Sequence, residues 1–167
     1  RAALKIPFVE QDMRKLALHR PQDAIICACD GVNYLDSLKA AEEFFEAANA
    51  ALKVGGLLLF DISSQYKLEN ILGCNTFAED EQGGAYIWKN NYDPKSRLIE
   101  MNLTFFERQG ELYRRFTERH IQRAHGVDEL LSALNRAGFD AKAYDFETTE
   151  PVKPDSERVQ FSGRKRR

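Results

Sequence analysis

Leu52-Lys53-Val54-Gly55-Gly56-Leu57-Leu58-Leu59-Phe60-Asp61-Ile62 decides how the rest of the chain is read. Leu38, Ala41, Phe45, Ala48 and Leu52 recur in steps of three and four, so a helix with one apolar face leads into it. Asp36 or Ser37 caps that helix, and Glu42 and Glu43 stand in its early turns. Gly55 is placed to close the helix in the left-handed conformation, and Gly56 lets the backbone swing away without a side-chain clash. The apolar run that follows shows no alternation, which predicts a strand covered on both faces. Helix, glycine turn and buried strand describe the centre of an α/β layered domain. A phosphate-cradling glycine loop joins a strand to the start of a helix. The order here is the reverse, so the Gly-Gly pair reads as a structural turn.

Working outward, Phe8 to Gln11 reads as a short strand stopping at Asp12-Met13, followed by a turn-rich connector. Ala24 to Cys29 is a second buried strand, and Asp30 to Tyr34 is a loop of turn residues. On the other side, Ser64 to Leu72 forms a short helix. From Asn75 to Arg123 the period changes to two, with Gln82-Gly83-Gly84, Asp93-Pro94-Lys95 and Gln109-Gly110 as turns. This predicts an antiparallel meander inserted into the layered domain. Gly126 to Ala137 returns to helical spacing and stops at Gly138. Phe139 to Phe146 and Arg158 to Gly163 are the closing strands.

With 167 residues the chain is long enough for one domain burying roughly 70 % of its unfolded surface. A net charge of −2 gives no reason to expect nucleic acid or an acidic membrane as partner. The closing Arg164-Lys165-Arg166-Arg167 reads as a solvated tail. Three cysteines cannot all pair, and no segment resembles a secretory signal, which fits a cytoplasmic setting. No apolar run approaches the roughly 20 residues that cross a bilayer. The chain opens on Arg1 rather than methionine, immediately before a predicted strand, which suggests residues upstream.

In open α/β sheets, ligands bind beyond the carboxyl ends of the strands. Those ends carry Asp12-Met13, Cys29-Asp30 and Asp61. Aspartates there can accept hydrogen bonds from a ribose or adenine, although aspartate also caps turns. Cys27 and Cys29 share a strand face by spacing, but no further ligands follow at zinc-like intervals, so no metal is expected. In the meander, Glu118, His120 and Gln122 fall on one face of a strand, and Arg115, Arg119 and Arg123 on the other. Tyr86 and Trp88 point together from an earlier strand. Cross-strand ion pairs over an aromatic core account for this pattern. So does a lid whose aromatics and His120 line a substrate pocket.

Four segments together resemble a known family: Gln11-Asp12-Met13-Arg14-Lys15-Leu16, Cys29-Asp30-Gly31-Val32-Asn33-Tyr34-Leu35, Leu52 to Ile62, and Glu129 to Phe139. In this order they resemble a class I S-adenosylmethionine-dependent methyltransferase of the small bacterial YqeM-like group. Val54 stands where the family commonly has proline in Leu-Lys-Pro-Gly-Gly. Tyr86-Ile87-Trp88 and Glu118-Arg119-His120 are similar to that group's inserted strands. The resemblance implies the C-terminal portion of a Rossmann-like methyltransferase sheet over residues 1–167, with 75–123 inserted as a substrate-side lid. It implies S-adenosylmethionine as cofactor, with Asp12 and Met13 by its adenine and Cys29, Asp30 and Asn33 near its methionine part. Tyr34, Tyr86, Trp88 and Arg115 would face a small-molecule substrate, with His120 as the candidate base.

One departure is large. The family's glycine-rich loop after the first strand is absent, and no Gly-x-Gly occurs in the 167 residues. The chain then either lacks residues that complete the sheet, or pairs its open edges with a second copy as a homodimer. The reading is a small-molecule methyltransferase whose present chain alone is inactive and binds its cofactor weakly. The alternative is a non-catalytic methyltransferase-like binding module. A nucleotide-binding α/β oxidoreductase is disfavoured because no second fingerprint or hydride-handling motif is present.

Overall fold

The computed structural model describes residues 6–167; the first five residues of the expected domain lie outside it. In chain order the elements are β1 (Gln22–Cys27), α1 (Leu38–Ala51), β2 (Leu52–Ser63), β3 (Thr76–Glu81), β4 (Gly84–Asp93), β5 (Leu98–Gln109), β6 (Leu112–Arg123), α2 (Val127–Arg136), β7 (Phe139–Asp145) and β8 (Arg158–Lys165). Short 3-10 turns at Met13–Lys15 and Gly31–Tyr34 and a π-helical segment at Lys67–Leu72 join them. The strands make two sheets, ordered β1-β2-β8-β7 and β3-β4-β5-β6. In the first, β1 and β2 are parallel and β8 runs antiparallel to both β2 and β7. The second is antiparallel throughout.

Helix α1 starts at Ser37, whose hydroxyl accepts the Ala40 amide at 3.2 Å. Its buried face combines Ala40, Ala41, Ala48 and Ala51 with Phe44 and Phe45, small residues bringing the helix close and two rings filling the layer. Phe45 meets Phe60, which stacks on Phe161 of β8 with ring centroids 4.6 Å apart. Leu58, Phe60 and Ile62 join Leu130 and Leu134 of α2 in the same core. Each such side chain contributes roughly 1.5–3 kcal/mol on burial.

Three expectations need correction. The strand over Phe8–Gln11 does not form: residues 6–12 carry no ladder bonds, and Phe8 is 91 % exposed. A strand exists by pairing, and no neighbour lies beside this segment among the described residues. The second strand ends at Cys27, because Cys29 and Asp30 take left-handed φ of 59° and 50°. Cys27 and Cys29 therefore do not share a strand face. Lastly, β2 is fully covered only on its helix side; Leu57 and Leu59 are half-buried.

The glycine pair also works differently from the expectation. Helix α1 ends at Ala51 and Leu52 is already extended. Gly55 does take a left-handed φ of 78°, but inside β2, where the register with β1 slips between Gln22 and Ala24. Gly56 is the constrained one: a Cβ there would lie 2.9 Å from the Lys53 carbonyl and 3.1 Å from that of Asp23. Both obstacles are backbone. Gly56→Ala is expected to cost about 1–3 kcal/mol in urea unfolding, by forcing β1 and β2 apart.

The meander strands face the first sheet with a regular set of rows. Tyr92, Ile99 and Gln122 form the deepest row, and Asn90, Met101 and His120 the next. Phe77, Trp88, Leu103 and Glu118 follow, then Glu79, Tyr86, Phe105 and Phe116. The deep end packs with Leu68 and Leu72 into a second core. The opposite face is mixed, with Lys89, Asn102 and Arg119 exposed beside Ile87 and Ile121.

Candidate active site

Residues 28–35 cross from the carboxyl end of β1 to the place where β2 and β6 end. A side-chain clamp holds them there. Asn33 is fully buried; its amide donates to the Ser63 and Arg123 carbonyls at 3.0 Å each and its oxygen accepts the Ser63 amide at 2.9 Å. Its hydrogen-bonding capacity is spent joining the loop to both sheets. His125, also fully buried, donates from Nε2 to the Leu35 carbonyl at 2.9 Å and accepts from Arg123 at Nδ1 at 3.0 Å. Glu129 of α2 gathers Arg97, Arg123 and the Gly126 amide. Burial holds the His125 ring neutral, with its pKa pushed down to about 4.

This frame presents Tyr34 and Asp30 to a cavity of about 310 Å³ between the strand ends and the meander. The Tyr34 hydroxyl lies 3.0 Å from His120 Nδ1, and His120 Nε2 lies 3.2 Å from Glu118. The rings of Tyr34 and His120 meet edge to face at 5.9 Å. A carboxylate beside Nε2 fixes the proton on that nitrogen, leaving Nδ1 to accept from the phenol. Opposite, Gln122 donates to Asp30 at 2.6 Å, and Arg158 bridges Asp30 and the buried Asp61. The Asp61 carboxylate also accepts the Asp30 amide at 3.2 Å. Trp88 lines the same cavity, and its buried indole N–H has no partner among the described residues.

The predicted site residues divide. Asp30, Tyr34, Trp88 and His120 converge on the cavity. Asn33 does not; it is the buried strut described above. Cys29 is exposed in its left-handed turn and does not line the cavity. Asp12 caps the Met13–Lys15 turn and pairs with Arg14 at 2.6 Å, the arginine holding its pKa down to about 2. Met13 packs against the core of the first sheet. Tyr86 sits one row further out, against Phe105, in a separate groove. Arg115 is exposed and pairs with Phe106, on the meander face opposite to His120. Strand parity alone separates Arg115 from the site. Among the described residues no His/Cys/Asp/Glu cluster could hold a metal, and burial lifts the Cys27 thiol to about 11.

Lys67 and Arg158 were not foreseen as lining residues. Arg158 arrives from the last strand and carries no local signal. Gln122 did, sharing a face with His120 two residues away.

No family model matches the chain. YqeM of Bacillus subtilis (strain 168), named as a methyltransferase, is 35% identical over 163 residues, covering 96% of this chain and 66% of that protein. A methyltransferase by name from Geobacillus sp. (strain WCH70) is 33% identical over the same shares. The crystal structure of an S-adenosylmethionine-dependent methyltransferase from Clostridium acetobutylicum ATCC 824 superposes with a TM-score of 0.92 at 32% identity, over 98% of this chain and 66% of that one. The chain is similar to the YqeM-like methyltransferases along nearly its whole length. It spans 66%, slightly under two thirds, of the length of these relatives. Its two sheets are therefore the Rossmann-like methyltransferase sheet, in part, and the antiparallel meander of the YqeM-like fold. No helix among the described residues is long and apolar enough to cross a membrane.

The YqeM-like site can be tested against the cofactor its family implies. The donor set fits one side of S-adenosylmethionine. Aromatic rings, the Met101 thioether and the Asp30 carboxylate suit a sulfonium and its polar substituents. The Trp88 N–H is a buried donor that a ligand oxygen would satisfy. No glycine-rich cradle is present to wrap the amino-acid end.

Proposed function

We propose that this chain forms the acceptor side of a methyltransferase site, in a protein that moves a methyl group from S-adenosylmethionine to a small molecule. The observation that carries it is the Tyr34–His120–Glu118 chain of hydrogen bonds opening on a cavity at the strand ends. Bound there, the cofactor supplies an electrophilic methyl on a sulfonium. Asp30, which lines the cavity, would meet its polar substituents, with the backbone around Cys29 next in the chain.

The chain's own residues then have three tasks. Alignment of the acceptor and exclusion of water are worth as much as about 7–11 kcal/mol of barrier. The faces of Tyr34 and Trp88 favour a cationic centre by roughly 0.5–2 kcal/mol each. The proton of a hydroxyl or ammonium acceptor leaves toward His120 Nδ1. Because the Tyr34 hydroxyl already occupies Nδ1, it passes through the phenol oxygen or displaces it. Glu118 stabilises the imidazolium that results.

The 167-residue chain alone is expected to show weak or undetectable S-adenosylmethionine binding by calorimetry, since half of the cradle has no counterpart in it. Tight binding would overturn that part. A protein of the relatives' full length should consume S-adenosylmethionine when given a small amine or hydroxyl acceptor; failure across a broad acceptor panel counts against the enzyme reading. The three unpaired cysteines fit a cytoplasmic protein.

A second reading rests on the edge of β1, beside which no strand lies among the described residues, and on Ile26 there, 71 % exposed. An open strand edge pairs with a partner, and a second copy would make a homodimer. In that case the chain is a binding module, and a sedimentation mass above one copy accompanies absent turnover.

A further inference from the structure

The inner face of the meander does not stop at the reaction cavity. Outward from the row holding His120 come Trp88 and Leu103, then Tyr86, Phe105 and Phe116, then Glu81, Glu107 and Arg114. At the rise of an antiparallel strand the aromatic row lies about 14 Å and the charged row about 20 Å from His120. Phe105 stacks on Phe116 at 5.0 Å and tilts against Tyr86 at 6.3 Å, so three rings form one floor. This floor lines a groove of about 300 Å³ whose rim carries Glu79, Glu81 and Glu107.

Beside the groove the chain already sets one cation of its own against these groups. The Arg114 guanidinium lies 5.8 Å from the centre of the Phe116 ring and 3.8 Å from Glu107. That leaves Glu79 and Glu81 facing the Tyr86 phenol, whose pKa rises through burial and then through these two carboxylates. Aromatic faces under an excess of carboxylates attract organic cations, more strongly when desolvated. The same surface repels carboxylates and phosphates.

We propose that this groove is an outer subsite that takes an ammonium or guanidinium group borne by a small organic molecule. Taking that molecule to be the methyl acceptor rests on the function proposed above; the cation preference does not. The acceptor would be an elongated amine, its reacting atom at Tyr34 and His120 and its cationic end two to three rows away. The Trp88 N–H, lying between, is placed to donate to an oxygen of the same molecule.

The test is an NMR titration of the chain with 2-phenylethylammonium, 2-phenylethanol and 3-phenylpropionate as probes. The ammonium is expected to shift the amides of Tyr86, Phe105 and Phe116 with at least tenfold higher affinity than the alcohol, and the carboxylate to shift none. Phe116→Ala and the Glu79→Gln/Glu81→Gln pair, all at exposed positions, should reduce the ammonium to the level of the alcohol while leaving the remaining spectrum unchanged. Equal affinity for ammonium and alcohol reduces the groove to a plain apolar face and overturns the proposal. So do shifts confined to other residues, or shifts that follow protein concentration alone and mark a second copy as the occupant. No cofactor or turnover enters the measurement, so its failure and that of the methyltransferase reading are separable.

Discussion

His125→Ala is expected to lower the unfolding free energy by about 3–5 kcal/mol, a large share of what a domain of this size has. The ring is fully buried, so its loss leaves a void. It also strands the Leu35 carbonyl and removes one bond from Arg123. Those two partners belong to the loop carrying Tyr34 and to the end of β6, so the damage falls where the two sheets are joined. The same residue sets a pH dependence. Its pKa is about 4 in the folded chain and about 6.5 when unfolded. Between these values the unfolded chain binds the extra proton, so stability increases with pH through the window. The contribution is complete above about pH 6.5 and is lost as pH falls toward 4, with a slope near 1.4 kcal/mol per unit and a total of about 3 kcal/mol. Glu129 faces the ring, and its own lowered pKa makes stability fall with acid in the same direction. Urea unfolding from pH 4.5 to 7.5, with His125→Leu beside the parent, separates them: the variant should retain only the shallower slope. Parallel slopes would show that His125 does not titrate in this window.

Why some of this was legible and some not follows from the range of each interaction. Periodicity marked α1, α2 and all four meander strands, because each displays its buried face in its own sequence. Leu58, Phe60 and Ile62 against α1 and α2 are of this kind. The glycine pair was read as a turn closing the helix and lies instead inside β2, where the register with β1 slips. Nothing local to Gly56 says that the Asp23 carbonyl, on another strand, will lie 3.1 Å from where its Cβ would be. Phe8–Gln11 reads as a strand by composition and fails for want of a neighbour. Asp30, Trp88 and His120 reach the cavity as strand ends and parity indicate, and Tyr34 as the family resemblance implies. Asn33 has the residue type of a ligand contact but is consumed as a strut. Arg115 was on the wrong face by a parity that the sequence already displayed. Arg158, 97 residues from the Asp61 it bridges, was beyond any reading of spacing.

In a full-length YqeM-like protein, His120→Ala is expected to reduce kcat by about 10²–10⁴-fold with KM little changed, the loss typical of a positioned general base. Tyr34→Phe distinguishes two routes for the proton. If the phenol oxygen relays it to Nδ1, Tyr34→Phe falls nearly as far as His120→Ala, and the double variant falls no further. Residues that act as one unit are not additive. If the acceptor instead displaces the phenol and meets Nδ1 directly, Tyr34→Phe keeps most of kcat and raises KM, because only the ring face and one hydrogen bond of 3.0 Å are altered. Glu118→Gln should fall between, keeping the ring in place while withdrawing the charge that favours the imidazolium. Unchanged turnover in His120→Ala removes the base from this geometry altogether, leaving alignment by Tyr34 and Trp88 as the chain's contribution.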